Sequence, residues 1–180
     1  MYNDFMTKDS MYFSNYPRSG FEFMRYLISL CPNLPIFQSG HNIQTTLRTI
    51  TIIRNPMDVC ASSIINDYGN KQNINETIKQ REQKYVKFYK EILKQDNLII
   101  IDFEDITTRP EETLKAIHKL LDLPFLMSER DKNIMFNEGG HLHTSKTHEE
   151  YDRIRDMVYA MPHTESLIEY NKVLDRKLIV

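Results

Sequence analysis

Hydrophobic residues along the chain alternate between short strand-like runs and longer segments with helical spacing. Strands are predicted at residues 11–16, 35–39, 49–53 and 98–103, where β-branched and aromatic residues concentrate. The last run, LIIIDF, is almost entirely apolar, as in parallel strands that are buried on both faces. Strands that alternate with helices predict an α/β fold with a mostly parallel sheet of about four strands, flanked by helices.

Between these strands, apolar residues recur at spacings of three and four, which indicates helices. The predicted helices follow Gly20 and cover about 57–68, 75–95 and 108–122, with two more opening near 147 and 164. Capping boxes, in which two side chains satisfy the first amides of a helix, are predicted for Ser19 with Glu22, Thr108 with Glu111, and Thr147 with Glu150. Residues 124–147 show weak periodicity and are predicted to be rich in loops.

Length and charge narrow the classes of function. A chain of 180 residues fits one domain, residues 1–180, with room for a core. Its 23 basic and 25 acidic residues nearly balance, which argues against a nucleic-acid binder or a polybasic membrane binder. Two cysteines, Cys31 and Cys60, make no disulfide framework and indicate a reducing, cytoplasmic setting, with Cys60 in an apolar pattern typical of a core. No apolar run reaches the length of about 18 residues that spans a bilayer, and no signal-peptide pattern opens the chain.

The first candidate for chemistry is the loop at residues 17–22, between a predicted strand and a predicted helix. In α/β sheets, ligands bind in the crevice at the carboxyl ends of the strands. A glycine-containing turn there presents backbone amides and the positive end of the helix dipole to an anion, and Arg18 adds a permanent cation. The nucleotide P-loop pattern is absent, because no Gly-Lys-Ser/Thr follows. The alternative is a plain helix that caps itself through Ser19 and Glu22.

The second candidate is the segment at residues 49–63, TITIIRNPMDVCASS. Arg54 stands just after a strand, and Ser62 and Ser63 lie about two turns into the next helix, so that a cation and a hydroxyl could hold an anion. The alternative is that Asn55-Pro56 breaks the strand, Asp58 caps the helix and Arg54 is a surface cation.

Together, PRSG entering an apolar helix and IIRNPMDVCASS resemble the 5′- and 3′-phosphate-binding motifs of the sulfotransferase family. Residues 98–124 are similar to that family's strand, acidic turn and helix, and the resemblance covers about 11–124 and, more weakly, the C-terminal helices. It implies a three-layer, P-loop NTPase-like sandwich. It also implies 3′-phosphoadenosine 5′-phosphosulfate as the sulfuryl donor, 3′,5′-adenosine bisphosphate as the product, and no required metal. The acceptor would be a hydroxyl or an amine.

The resemblance assigns roles to residues in three segments. Arg18 stands where the family contacts the leaving 5′-phosphate and the sulfuryl group, and Arg54 and Ser62 stand at the 3′-phosphate. Phe23 takes the place of the aromatic residue against adenine, and Phe103 that of a second aromatic residue near the nucleotide. The implied donor-binding residues are Arg18, Ser19, Gly20, Phe21, Glu22, Phe23, Arg54, Ser62 and Phe103.

The family's catalytic base is a histidine just after a strand between the two phosphate motifs. His41, which follows PIFQSG, is the only histidine between these motifs. An imidazole titrates near neutral pH, at about 6.5, which suits a group that takes a proton from the acceptor. The resemblance therefore implies His41 and Arg18 as the catalytic residues.

Departures from the family pattern keep a second function open. Phe21 and Glu22 replace the hydroxyl residues that follow the loop glycine, and NEGG at 137–140 stands roughly where the family has a cofactor loop with Arg-Lys-Gly. The alternative is a nucleotide-binding or interaction protein with a degenerate, inactive donor site. A phosphoryl-transferring P-loop enzyme is a third hypothesis, but it needs a Lys-Ser/Thr pair and a magnesium carboxylate that the sequence lacks.

A shared metal on His141, His143 and His148 is a further possibility in the C-terminal part. No acidic or cysteine partner lies at a convincing spacing, and zinc sites need three or four ligands, so these residues are interpreted as polar loop histidines.

Overall fold

A computed structural model describes residues 11–35, 37–41, 43, 47–66, 74–138 and 148–178. Within this part of the chain, one sheet has four parallel strands in the order β2-β1-β3-β4. The strands are β1 (Met11–Ser14), β2 (Phe37–Gly40), β3 (Arg48–Ile53) and β4 (Leu98–Asp102). The predicted α/β fold and the predicted strands are confirmed.

The helices surround this sheet. They are α1 (Phe21–Ser29), α2 (Pro56–Asn66), α3 (Ile74–Ile92), α4 (Phe103–Thr108), α5 (Pro110–Leu120), α6 (Glu129–Glu138), α7 (His148–Tyr159) and α8 (Thr164–Leu174). All the predicted helices are present, whereas α4 and α6 were not predicted. Among the described helices, none combines the length and the apolar character needed to cross a membrane.

The sheet is covered on both faces, which makes three layers. On one face, α1 and α5 pack against β1, β3 and β4 through a cluster that includes Phe13, Leu27 and Leu114. On the other face, α3 and α8 pack through Tyr85, Tyr89 and Val173. A third cluster joins α2 to α3 and α7 and contains Cys60, which is buried as predicted; burial raises the pKa of its thiol to about 12.

The order of the strands places a switch in direction between β1 and β3. The chain leaves β1 through α1 towards β2, and it leaves β3 through α2 and α3 towards β4, on the opposite side. Connections that diverge in this way open a crevice at the carboxyl ends of the two strands. The first loop (residues 15–20) and the second loop (Arg54 and Asn55) both lie at this crevice.

Two predictions of local structure are wrong. Thr108 does not open α5: its hydroxyl donates to the carbonyl of Glu104 at 2.7 Å, and α5 begins at Pro110 without a side-chain cap. The turn before it is the short helix α4, because the Asp102 carboxylate accepts from the amide of Glu104 at 3.1 Å and caps it. The predicted loop-rich stretch 124–147 contains α6. The cap predicted for Thr147 lies outside the described residues.

The C-terminal segment closes the outer edge of β4. The amide of Leu178 donates to the carbonyl of Ile100 at 2.8 Å. The Lys177 ammonium lies 3.0 Å from Asp102 and 3.1 Å from Asp105, and Arg109 also pairs with Asp105. Because an unpaired strand edge exposes free amides and carbonyls, this segment both protects β4 and neutralises the carboxylates at its end.

Asp105 gives a pH-dependent test of this edge. Burial opposes ionisation of Asp105, but hydrogen bonds from Arg109 and Lys177 outweigh it and hold the pKa of this carboxyl below its ordinary value of 3.8. A depressed pKa stabilises the fold above the ordinary pKa, and this stabilisation is lost as the pH falls through the lower folded value. We expect Asp105→Asn to reduce the free energy of unfolding at pH 7 by about 1–3 kcal/mol.

The measurement is urea denaturation of both proteins between pH 7 and pH 2. The difference between wild type and variant should narrow below pH 3.8, the ordinary value for aspartate. Asp156→Asn, at an exposed position of α7, is the matched control and should change little at any pH. A difference for Asp105→Asn that stays constant with pH would contradict the assignment.

Candidate functional site

Three segments meet at the carboxyl ends of β1, β3 and β4. Nη1 of Arg54 donates to the backbone carbonyl of Arg18 at 3.2 Å, which joins the second loop to the first. The Arg54 guanidinium also lies over the ring of Phe103, 4.3 Å from its centroid, which joins both loops to the start of α4. The candidate motifs, which are far apart in the sequence, therefore form one site.

The first loop depends on a glycine at position 20. Gly20 precedes α1 with φ of 102°, in the left-handed region, and a Cβ there would lie 2.5 Å from Cδ2 of Phe103. A side chain at this position would therefore be strained by its backbone and would overlap the aromatic ring. Arg18 also has a positive φ, 70°, so the chain turns sharply twice before it enters the helix.

Asn15 ties the start of α1 to β3. With its side-chain amide oriented to satisfy both groups, Nδ2 donates to the carbonyl of Ile52 at 3.2 Å and Oδ1 accepts from the amide of Phe21 at 3.3 Å. Asn15 is fully buried, so this link is shielded from water. The amides of Glu22 and Phe23 follow in the first turn, where a helix supplies no acceptor of its own, and they can bind an anion.

The capping box predicted for Ser19 and Glu22 is wrong. Ser19 is fully buried, its hydroxyl lies 3.4 Å from the hydroxyl of Tyr89, and its amide donates to the carbonyl of Tyr16 at 3.2 Å. The Glu22 side chain is 61% exposed and pairs with Arg25 at 3.4 Å. Because Gly20 and not Ser19 precedes the helix, the two side chains are not positioned to cap each other. Glu22 therefore does not cap the helix, and its carboxylate is not held against the amides of the first loop.

The aromatic residues of the first loop divide between the core and the site. Phe23 is 6% exposed and packs in the core between α1 and the sheet, so it has no free face for an adenine ring, contrary to the expectation. Phe21 stacks on Phe13 with ring centroids 5.1 Å apart and lies 5.9 Å from the imidazole of His41.

The backbone of Arg54 in the second loop is held by a hydrogen bond from α3. The Tyr85 hydroxyl donates to the Arg54 carbonyl at 2.8 Å. Nε of Arg54 is buried and has no hydrogen-bond partner among the described residues. Asn55, and not Asp58, caps α2, since its Oδ1 accepts from the amide of Met57 at 2.9 Å. A partly buried arginine with an unsatisfied donor is better suited to an anion than to a role as a simple surface cation.

Side chains on α2 extend the site away from the second loop. Ser62 is partly exposed, one turn after Asp58, whose carboxylate accepts from Tyr159 at 3.0 Å and pairs with Arg155 at 3.5 Å. Ser63 is buried, with no partner for its hydroxyl in the part of the chain that the structure describes. Ser62 is thus the serine that α2 presents outward.

His41 lies at the same crevice, directly after β2. Its Nδ1 is 2.8 Å from the backbone carbonyl of Asn15. A carbonyl only accepts, so Nδ1 carries the proton and Nε2 keeps a free lone pair. The residue is exposed, which leaves Nε2 accessible to a substrate. The structure therefore brings His41 to the loop that carries Arg18, in a tautomer that can accept a proton.

The resulting site is rich in donors and permanent cations. Arg18 is exposed, Arg54 has an unsatisfied Nε, and the first-turn amides of α1 point along the positive end of the helix dipole. Among the described residues, no three His, Cys, Asp or Glu side chains cluster so as to hold a metal. The donor set fits two anionic groups bound side by side. The segment NEGG at 137–140 and the three histidines at 141, 143 and 148 lie outside the described side chains.

Three residues that position the site were not singled out from the sequence. Asn15 lies near the end of the strand predicted at 11–16, and Tyr85 and Tyr89 lie on the apolar stripe of the helix predicted at about 75–95. For the two tyrosines, the sequence does contain a signal: their hydroxyls lie in an otherwise apolar stripe, and a buried hydroxyl requires a hydrogen-bond partner.

The chain is similar to sulfotransferases in part of its sequence and in its fold. A family model described as Sulfotransferase family matches residues 46–127, which include Arg54, Ser62 and Phe103 but not the first loop or His41. The fold is similar to the crystal structure of mouse sulfotransferase SULT7A1 complexed with PAP, with a TM-score of 0.61. The sequences are 12% identical, and the alignment covers 93% of this chain and 83% of the mouse chain. No curated protein matches the sequence.

Gly20→Ala tests whether the first loop depends on the contact with Phe103. We expect a loss of about 2–4 kcal/mol in the free energy of unfolding, since a left-handed backbone strain and a steric overlap add together. In a Phe103→Ala background the overlap is gone, and the same substitution should cost only about 1–2 kcal/mol. Urea denaturation of the four proteins measures both values. Equal losses in the two backgrounds would show that Phe103 does not restrict position 20.

Proposed function

We propose that this chain, whose residues 46–127 match the sulfotransferase family model and whose fold is similar to that of a sulfotransferase, transfers a sulfuryl group from 3′-phosphoadenosine 5′-phosphosulfate to a hydroxyl or amine acceptor. The observation that carries the proposal is the contact between Arg54 and the Arg18 carbonyl, at 3.2 Å, by which the two loops proposed to bind anions lie side by side at the switch between β1 and β3. The mouse sulfotransferase of similar fold is complexed with PAP, the nucleotide expected as product. In this proposal, residues 1–180 form a single domain with this function.

The donor would be held by its two phosphates. The 5′-phosphate would lie against Arg18 and the amides that follow Gly20, where the helix dipole favours negative charge. The 3′-phosphate would pair with Arg54 and accept from the hydroxyl of Ser62. Phe103 is partly exposed, next to Gly20 and Arg54, and would supply an aromatic surface for the nucleoside.

His41 would act as the base. The bound donor supplies the sulfuryl group, and the leaving group is the anionic 5′-phosphate of the nucleotide. As the acceptor oxygen or nitrogen bonds to sulfur, its proton moves to Nε2 of His41, while Nδ1 stays hydrogen-bonded to the Asn15 carbonyl at 2.8 Å. The bond between sulfur and the 5′-phosphate oxygen breaks, and Arg18 and the loop amides neutralise the charge that develops on that oxygen.

A second candidate is a nucleotide-binding protein that does not turn over the donor. It is favoured by the first loop, where the Ser19 hydroxyl is directed inward to Tyr89, and by Glu22, which puts a carboxylate in the same first turn of α1 as the amides of the proposed phosphate site. A carboxylate close to a bound phosphate weakens binding.

Thermal shift distinguishes the proposed donor from nucleoside triphosphates. We would compare 3′,5′-adenosine bisphosphate without metal, ATP with magnesium, and no ligand. Stabilisation by the bisphosphate but not by ATP supports a sulfotransferase donor site, and transfer of label from the donor to a panel of alcohols and amines then separates the enzyme from the inactive binder. Stabilisation by neither nucleotide would contradict the proposal.

Arg54→Ala should remove recognition of the 3′-phosphate. Losing a charge-assisted pair costs about 1.5–3 kcal/mol, or roughly ten- to hundred-fold in Kd for 3′,5′-adenosine bisphosphate. Adenosine 5′-phosphosulfate, which lacks the 3′-phosphate, should lose much less, about threefold or under. Isothermal titration calorimetry measures both ligands. The control is Arg48→Ala, an exposed arginine at the opposite end of β3, and equal losses for both ligands in Arg54→Ala would contradict the assignment.

His41→Ala should abolish transfer and leave the donor affinity nearly intact, because a base acts on the acceptor. Single-turnover rates and calorimetry measure the two effects. Imidazole added to the variant should restore part of the rate, since it can reach the exposed position and accept the proton. A variant that keeps most of its activity, or that loses donor binding in parallel, would exclude His41 as the base.

A further inference from the structure

We propose that Tyr85 and Tyr89 of α3 are positioning residues that hold the two phosphate loops in the geometry that the nucleotide needs. The inference rests on the proposed function and adds to it two residues outside the loops that position the groups binding the nucleotide. Its basis is a juxtaposition: two phenol hydroxyls, one turn apart on α3, reach the carboxyl end of β3 from the side opposite to the helix that opens the first loop.

Tyr89 links the first loop to β3. Its hydroxyl donates to the carbonyl of Ile52 at 2.6 Å and lies 3.4 Å from the hydroxyl of Ser19. A phenol has a single proton, and the Ile52 carbonyl requires it, so Ser19 is the donor in the second contact. Both side chains are fully buried. The position of Ser19, just before Gly20 and α1, therefore depends on Tyr89.

Tyr85 fixes the second loop. Its hydroxyl donates to the carbonyl of Arg54 at 2.8 Å, and its ring lies 4.5 Å from that of Tyr89, centroid to centroid. This carbonyl belongs to the residue whose side chain reaches Arg18 and Phe103. Rotation of the peptide would move the guanidinium, so Tyr85 controls the direction from which Arg54 meets a 3′-phosphate.

Packing alone does not account for the two hydroxyls. Phenylalanine would fill the same cluster, and a buried hydroxyl is unfavourable unless it is paired. Both hydroxyls are used on backbone carbonyls at the site. Burial raises the pKa of both phenols, so they remain protonated donors over the working pH range.

The two tyrosines predict different binding defects. Tyr85→Phe leaves the Arg54 carbonyl without its donor, and it should weaken 3′,5′-adenosine bisphosphate by about three- to tenfold but adenosine 5′-phosphosulfate by under about twofold. Tyr89→Phe leaves the Ser19 hydroxyl without its partner and removes one of the two donors to the Ile52 carbonyl, and it should weaken both ligands by about three- to tenfold. A general loss of stability would not separate the two ligands in this way.

The experiment is calorimetry with both ligands, at a temperature at which each variant is shown to be folded by its melting curve. Tyr170→Phe is the matched control. Tyr170 packs against the same cluster from α8, and within the described part of the chain its hydroxyl bonds to neither loop, so both affinities should stay unchanged. Ser19→Ala removes the Tyr89 link from the other side with a smaller change to the core. Adding it to Tyr89→Phe should weaken binding no further.

The outcomes separate this inference from the function on which it rests. If the wild type does not bind the bisphosphate, the proposed function fails and the inference fails with it. If the wild type binds and Tyr85→Phe weakens both ligands equally, or behaves like Tyr170→Phe, the inference alone is overturned. Additive losses for Ser19→Ala and Tyr89→Phe would overturn the role assigned to Tyr89.

Discussion

The parallel pairing of β1 with β3 is the constraint on which the site depends. Their parallel register, with Phe13 opposite Ile50, brings the carboxyl ends of the two strands to the same edge of the sheet, with β3 extending slightly further than β1. Because the chain leaves the two strands in opposite directions, neither connection covers the ends. Two loops that are more than thirty residues apart in sequence can then share one ligand, and the Arg54 contact with the Arg18 carbonyl is the direct result.

Tertiary contacts stabilise an unfavourable backbone conformation in the first loop. Arg18 and Gly20 both have positive φ, and a non-glycine residue in this region costs on the order of 1 kcal/mol or more. The compensation comes from groups outside the loop: the buried Asn15 amide, the hydroxyl of Tyr89 and the ring of Phe103. A loop stabilised in this way keeps its amides directed outward before an anion arrives, which is the preorganisation that binding and transfer both require.

Charge in this protein acts locally. The whole chain carries a formal charge of −2, so long-range attraction contributes little to the capture of an anion. The cations that matter are few and are placed by hydrogen bonds, whereas the nearby acids are paired: Glu22 with Arg25, and Asp105 with Lys177 and Arg109. Selectivity for an anionic nucleotide would therefore depend on geometry more than on net potential.

The amino-acid sequence by itself determined the strands, most helices, and the positions of the two loops that are candidates for binding an anion, because hydrophobic periodicity and turn residues act over a few neighbouring positions. It did not decide what the loop side chains do. Ser19 and Glu22 have the spacing of a capping box, yet Ser19 is directed to Tyr89, seventy residues away along the chain. Phe23 is buried for a similar reason, since the helix that begins after Gly20 turns that face onto the sheet. Local spacing defines which contacts are possible, and only the tertiary structure, through burial and competing partners, selected the ones that form.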